Sequence, residues 1–157
     1  MQNCFVRAFA CKKLGIKNSE IVFEKGKHGK PYIKRYPNFH YNISHTRNAI
    51  AVVVSDNPVG IDIEKIRKAE LQIANSFFTK TEQEYINEFS SKADKRFYKI
   101  WTKKEAYIKY IGKGLLMPLN SFNTLDETIS QQLQTFEKGE YMISVCGEHL
   151  NEKHEIK

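Results

Sequence analysis

The residues with types and spacing suited to chemistry fall mainly in two segments. Gly60-Ile61-Asp62-Ile63-Glu64 reads as a strand, and alternate side chains of a strand share a face. Ile61 and Ile63 then point to the core, and Asp62 and Glu64 together to the other side. Their carboxylates stand roughly 6.6 Å apart along the strand. One hard cation, which prefers oxygen ligands, bridges that separation. Taken alone, the segment reads as a solvent-facing edge with two ordinary acids. Residues 101–115 (WTKKEAYIKYIGKGL) change the weighing. Phe97, Trp101, Ile108 and Ile111 recur at helical spacing and define an inward stripe on which Glu105 also falls. An ionised carboxylate facing inward is costly unless a cation or several donors meet it. Glu105 is therefore a third carboxylate able to converge on an ion at Asp62 and Glu64, and magnesium is commonly held by a few carboxylates plus substrate phosphates and waters. The plainer alternative is a surface pair with Lys109, which follows at the favourable helical spacing.

The basic residues suit a phosphate. Lys30, in the turn Gly29-Lys30-Pro31, can meet an anion, as can Lys104, Lys109 and Lys113. Gly112 and Gly114 permit close backbone approach. Each lysine taken singly also reads as solvated surface. Ser44-His45 ends a strand, where neighbours point apart, so the pair is weak evidence for nucleophilic catalysis. Parity groups His45 with Phe39, Tyr41 and Ile43, which allows a buried structural histidine. Strand ends break parity, which leaves an imidazole donor to a phosphate.

The elements that must position these groups follow from periodicity and turn residues. Residues 3–14 suit an amphipathic helix with Phe5, Ala8, Phe9 and Cys11 near one face, closed by Gly15. Residues 21–24 read as a short strand and 26–31 as a glycine-rich basic turn. Strands are expected over 39–44, 49–55 and 59–64, with turns at 45–48 and 56–58, giving an antiparallel meander. Helices follow over 70–78, then from a capping box at Thr79–Glu82 through Phe89, then over 94–111. The chain looks strand-like again around 121–125 and 140–146, and the polar residues 151–157 are expected to fray.

Composition bounds the classes. The chain has 157 residues, 41% hydrophobic and 12% aromatic, which suits one compact domain or two small halves sharing a core and argues against disorder. A net charge of +7 suits an acidic partner: nucleic acid, an anionic membrane surface, a polyphosphate ligand or an acidic protein. Cys4, Cys11 and Cys146 form no metal-ligand spacing, and their odd number argues against a disulfide framework. No signal-peptide core or bilayer-length apolar run is present, so the expectation is a soluble, cytoplasmic protein with no membrane partner.

Four segments in order carry a resemblance: Gly29-Lys30-Pro31, Phe39 to His45 (FHYNISH), Gly60 to Glu64 (GIDIE), and residues 101–115. Phe77-Phe78 with Glu82 fits between the last two. Together they resemble the 4′-phosphopantetheinyl transferases of the larger, surfactin-synthetase-activating type. The smaller holo-acyl-carrier-protein synthases share the acidic motif and the helix but generally lack the other two segments. The resemblance implies an α+β fold of two pseudo-symmetric halves, each a small antiparallel sheet packed on helices, here residues 1–59 and 60–157, with the metal on the second half. It implies Mg²⁺-dependent transfer (Mn²⁺ also suiting the ligands) of 4′-phosphopantetheine from coenzyme A to a serine of an acidic acyl or peptidyl carrier protein, releasing adenosine 3′,5′-bisphosphate. Asp62, Glu64 and Glu105 would be the metal ligands. Glu105 would also be the base, and Lys109 would stabilise pyrophosphate charge. Lys30, Ser44 and His45 would contact the nucleotide portion. Members of this type carry further strands before the helix that matches residues 3–14, so the first half is expected to be a shortened one, and their basic contacts to the coenzyme A 3′-phosphate have no matched counterpart here. Two rivals remain: a basic nucleic-acid-binding module using Tyr32, Tyr36 and Tyr41 as stacking aromatics, and a degenerate transferase that binds coenzyme A or carrier without turnover. The lysines are spread along the chain with no concentrated basic arm, which disfavours the first.

Overall fold

The computed structural model describes residues 2–148 and Leu150. The chain starts with helix α1 (Gln2–Leu14), which buries Val6 and Ala10, one helical turn apart. Phe5 and Phe9, expected on the inner face, are 51% and 40% exposed. The helix is turned so that its smaller side chains meet the core made by Ile21, Ile33, Phe39 and Tyr41. Gly15 closes it at φ +66°, its N–H donating to Cys11 O.

Strands β1 (Phe23–Lys25) and β2 (Pro31–Ile33) form a small hairpin around the basic turn. Strands β3 (His40–Thr46) and β4 (Ala49–Ser55) form a longer one. Its turn is tight, with Asn48 at φ +64°, so β3 continues two residues past the expected end and Thr46 pairs with Ala49. One face of this ribbon (Tyr41, Ile43, Val52, Val54) packs into the α1 core. The other (Ala49, Ala51, Val53) packs on Val59, Ile61, Ile63, Ile143 and Val145.

The meander expected for the third strand does not form. β5 (Val59–Lys65) pairs with β7 (Tyr141–Gly147), not with β4, and β7 pairs in turn with β6 (Leu133–Lys138), giving an antiparallel sheet of order β5-β7-β6. After the turn at Asp56–Pro58 the chain leaves the ribbon, and Ile61 and Ile63 are covered by stacking under it rather than by pairing beside it. Residues 121–125, expected as a strand, are loop after a 3-10 turn (Leu119–Ser121).

Helices α2 (Leu71–Phe77), α3 (Lys80–Asn87) and α4 (Ala93–Ile111) follow β5, and the short α5 (Glu127–Ser130) precedes β6. Thr79 and Glu82 form the expected capping box of α3, and Gly112 (φ +75°) ends α4. Phe78, Ile86, Phe97 and Ile100 bury together with Trp101 packed against them. Helix α4 crosses the sheet on its other face at unusually short range. A Cβ on Gly60 would lie 2.1 Å from Ala106 O and 2.5 Å from Tyr110 N, and Thr102 Oγ1 meets Ser144 Oγ at 2.8 Å. That closeness brings Glu105 and Lys109 to β5. The architecture is α+β, with small antiparallel sheets packed on helices. Among the described residues no helix is long and apolar enough to cross a membrane. The expected fraying of residues 151–157 lies outside the described residues.

Candidate active site

Antiparallel pairing with β7 occupies the backbone groups of Gly60, Asp62 and Glu64 and leaves those of Val59, Ile61 and Ile63 facing the open edge of β5. A buried strand edge must find partners for such groups. Here side chains supply them. Asn42 Oδ1 accepts from Ile61 N (2.8 Å) and Ser44 Oγ accepts from Ile63 N (3.3 Å). Lys30 Nζ donates to Val59 O (3.0 Å) and Lys109 Nζ to Ile61 O (3.0 Å). The edge is thus sealed by β3, by the turn before β2 and by the end of α4, and Ser44 of β3 and Lys109 of α4 meet at Asp62.

The acidic residues face α4. Asp62 is 4% exposed, so the reading of the segment as a solvent-facing edge fails. Its Oδ1 accepts from Ser44 Oγ (2.9 Å) and from Lys109 Nζ (2.8 Å). Its Oδ2 is buried, and among the described residues no hydrogen bond reaches it. Glu64 Oε2 accepts from Thr46 Oγ1 (3.2 Å). Burial, then the Asp62 carboxylate, push the Glu64 pKa up, against the Thr46 hydrogen bond, Lys109 and Arg67. Burial also raises Glu105, and Asp62 and Glu64 add to it while Lys109 opposes. Beside burial, Asp62 thus pushes up both of its acidic neighbours, and Lys109 opposes it at each. The plain surface pair of Glu105 with Lys109 does not account for this, because Lys109 gives its ammonium to Asp62.

A small open cleft lies beside Glu64, walled by Ile73, Phe97, Tyr98 and Trp101, with Arg67 at its rim donating to the Tyr98 hydroxyl (3.3 Å); of the three carboxylates only Glu64 lines it. The buried, unpartnered Asp62 Oδ2 and an all-carboxylate donor set suit a hard divalent cation. Among the described residues no three of His, Cys, Asp and Glu stand together as a ready cage. Magnesium does not require one, since it takes one or two carboxylates and completes its shell with phosphate and water.

The other expected site residues fall as follows. Lys30 is a clamp as it stands: besides Val59 O it reaches Lys109 O (2.8 Å) near the carbonyl end of α4, where a cation suits the helix dipole. Burial lowers its pKa. Ser44 is buried against Asp62. His45 pairs with Ile50 near the tip of the β3–β4 ribbon and is exposed, so the buried-histidine alternative fails. Lys104, grouped above with the anion-facing lysines, is 0% exposed and pairs with the equally buried Glu82 at 2.8 Å. It points roughly 100° around α4 from Glu105, and its partner comes from α3. On the inward stripe Phe97 and Ile108 are buried, whereas Ile111 is 37% exposed. Tyr41 is 2% exposed, so it offers no stacking surface to a nucleic acid. The sequence reading assigned no role to Asn42 or Thr46. Their signal was the polar alternation Asn42, Ser44, Thr46 opposite Tyr41 and Ile43.

A family model described as the 4′-phosphopantetheinyl transferase superfamily matches residues 58–157, and one described as 4′-phosphopantetheinyl transferase, N-terminal, matches residues 1–57. The chain is 36% identical over 160 residues to a 4′-phosphopantetheinyl transferase of Bacillus subtilis, covering 92% of this chain and 70% of that protein. It is 38% identical over 118 residues to the 4′-phosphopantetheinyl transferase gsp of Aneurinibacillus migulanus, covering 74% of this chain and 49% of that protein. An L-aminoadipate-semialdehyde dehydrogenase-phosphopantetheinyl transferase of Mus musculus is 34% identical over 125 residues, 70% of this chain and 40% of that protein. The chain thus spans about half the length of some relatives and more of others. With its acidic strand, its glutamate- and lysine-bearing helix and the matches along both parts of its length, this chain belongs to the 4′-phosphopantetheinyl transferase superfamily.

Proposed function

We propose that this chain transfers the 4′-phosphopantetheine group of coenzyme A to a serine hydroxyl of an acyl or peptidyl carrier protein and requires Mg²⁺ or Mn²⁺. The observation that carries the reading is Asp62: a buried carboxylate with one oxygen held by Ser44 and Lys109 and the other without a hydrogen bond among the described residues, flanked by Glu64 and Glu105, whose pKa values are raised by burial and then by its charge. Asp62, Glu64 and Glu105 would hold the ion, which when bound supplies Lewis-acid neutralisation of pyrophosphate charge. Lys109, anchored at Ile61 O and Asp62, adds a fixed positive charge where charge develops on the leaving oxygens.

Glu105 takes the serine proton on this proposal, its basicity increased by burial and by its carboxylate neighbours. The serine oxygen forms a bond to the phosphorus that bears the pantetheine. The bond from that phosphorus to the bridging oxygen breaks, and its electron pair leaves with adenosine 3′,5′-bisphosphate. The open cleft adjoins the site at Glu64. The net charge of +7 favours encounter with an acidic carrier. The chain divides on this reading into residues 1–59 and 60–157, with the β3–β5 seam between them and the metal ligands on the second part; the family suits a cytoplasmic location.

Asp62→Ala and Glu105→Ala test the assignment. Each is expected to reduce transfer to a carrier protein by at least about a hundredfold, the scale of losing a general base, while circular dichroism shows a retained fold. Wild-type rates in either folded variant would overturn the residue roles.

A further inference from the structure

Asn42, Ser44 and Thr46 occupy alternate positions of β3 and meet β5 in sequence. Asn42 Oδ1 takes the N–H of Ile61, Ser44 Oγ takes the N–H of Ile63 and donates to Asp62 Oδ1, and Thr46 Oγ1 donates to Glu64 Oε2. The contacts advance in the same direction along both strands. This is a parallel ladder whose rungs are side chains rather than peptide groups. The resemblance to the family implies a nucleotide contact for Ser44 and nothing for Asn42 or Thr46.

We propose that Asn42, Ser44 and Thr46 are positioning residues: their ladder fixes the register of β3 on β5 and so aims the Asp62 and Glu64 carboxylates at a divalent cation. The inference rests on the metal reading above. Ser44 and Lys109 hold one oxygen of Asp62, and Thr46 holds one oxygen of Glu64, so the plane of each carboxylate is set by a donor on another element. Groups that orient a ligand in this way contribute heavily to metal affinity. The ladder also excludes a slip. A shift of one residue would bring Tyr41, Ile43 and His45 to the β5 edge, leaving the Ile61 and Ile63 amides without acceptors and removing Tyr41 and Ile43 from the α1 core.

The test is Mn²⁺ binding to the whole chain without coenzyme A, read by electron paramagnetic resonance of the free ion, for the wild type, Thr46→Val, Thr46→Ser and Ser44→Ala. The ladder predicts about a tenfold loss of Mn²⁺ affinity in Thr46→Val and in Ser44→Ala, with Thr46→Ser close to wild type. Amide exchange gives a second readout that does not need the ion: Asn42→Ala should speed exchange at Ile61 more than at Ile63. Wild-type Mn²⁺ affinity in folded Thr46→Val and Ser44→Ala would overturn the positioning role and return Ser44 to a nucleotide contact alone. Absence of Mn²⁺ binding by the wild type would instead overturn the metal reading, and this inference with it.

Discussion

Replacing Lys104 with methionine probes the ion pair inside the α3–α4 packing. Lys104 and Glu82 are each 0% exposed, with Nζ 2.8 Å from Oε2. The same ammonium donates to Leu119 O (2.6 Å) and Phe122 O (2.8 Å) and lies 4.3 Å from the Phe122 ring centroid. It therefore ties the loop around 119–124 to α4. Burial pushes its pKa down and Glu82 counteracts. Methionine keeps most of the stem's volume, so the loss is of charge and donors rather than of packing. Glu82 retains the N–H and hydroxyl of Thr79 and of Thr124, but its charge stays buried without a cation. Breaking a buried pair from one side costs about 3–5 kcal/mol. At roughly 2–4 °C per kcal/mol for a chain of this size, Tm falls by roughly 6–20 °C. Adding Glu82→Gln removes the stranded charge, so the double variant should be more stable than the Lys104 variant alone. The two residues should couple by roughly 1–3 kcal/mol in a cycle. Urea unfolding followed by the fluorescence of Trp101, which packs on Phe78 and Phe97, measures all four proteins. A Lys104→Met loss under about 1 kcal/mol, or a double variant no more stable than it, would refute the reasoning.

Two further outcomes follow from the geometry. Gly60→Ala places a methyl 2.1 Å from Ala106 O. Helix and strand must separate, with a loss of about 3 kcal/mol or more, and a Tm within a degree or two of wild type would contradict the close crossing. His40 has a pKa held below its usual value, first by burial and then by Lys30, with Asp56 opposing. The folded state thus resists protonation that the unfolded chain accepts, so its contribution to stability is complete above about pH 6.5 and declines as pH falls below that value. His40→Gln should therefore show a smaller drop in Tm between pH 7.5 and 5.5 than the wild type, and an equal drop would exclude this linkage.

Much of the site was legible because its signals are local. The alternation around Asp62 and the helical phase of Glu105 each follow from one element, and Asp62 is buried on the sheet face that α4 covers while Glu105 is half-buried on α4 itself. Helix ends at Gly15 and Gly112 and the capping box at Thr79 were equally local. What stayed hidden depends on pairs distant in sequence. Lys104 reads as one more surface lysine until Glu82 and the loop carbonyls of Leu119 and Phe122 surround it. The meander failed because hydrophobic alternation identifies a strand and its faces but not its neighbour, and β5 pairs with a strand some eighty residues later. Strand β6 buries only Leu133 fully, too little to leave a periodic signal. For α1, apolar residues lie on two faces; the pattern favours the face of Phe5 and Phe9, but the small pair Val6 and Ala10 takes the core.

The central claim is metal-dependent transfer by this chain. Intact-mass spectrometry of an apo carrier protein incubated with the chain, coenzyme A and Mg²⁺, with and without EDTA, tests it most directly. The account predicts a mass gain of one phosphopantetheine group that EDTA abolishes. A folded sample that modifies none of several carriers, or that modifies them equally in EDTA, would contradict it.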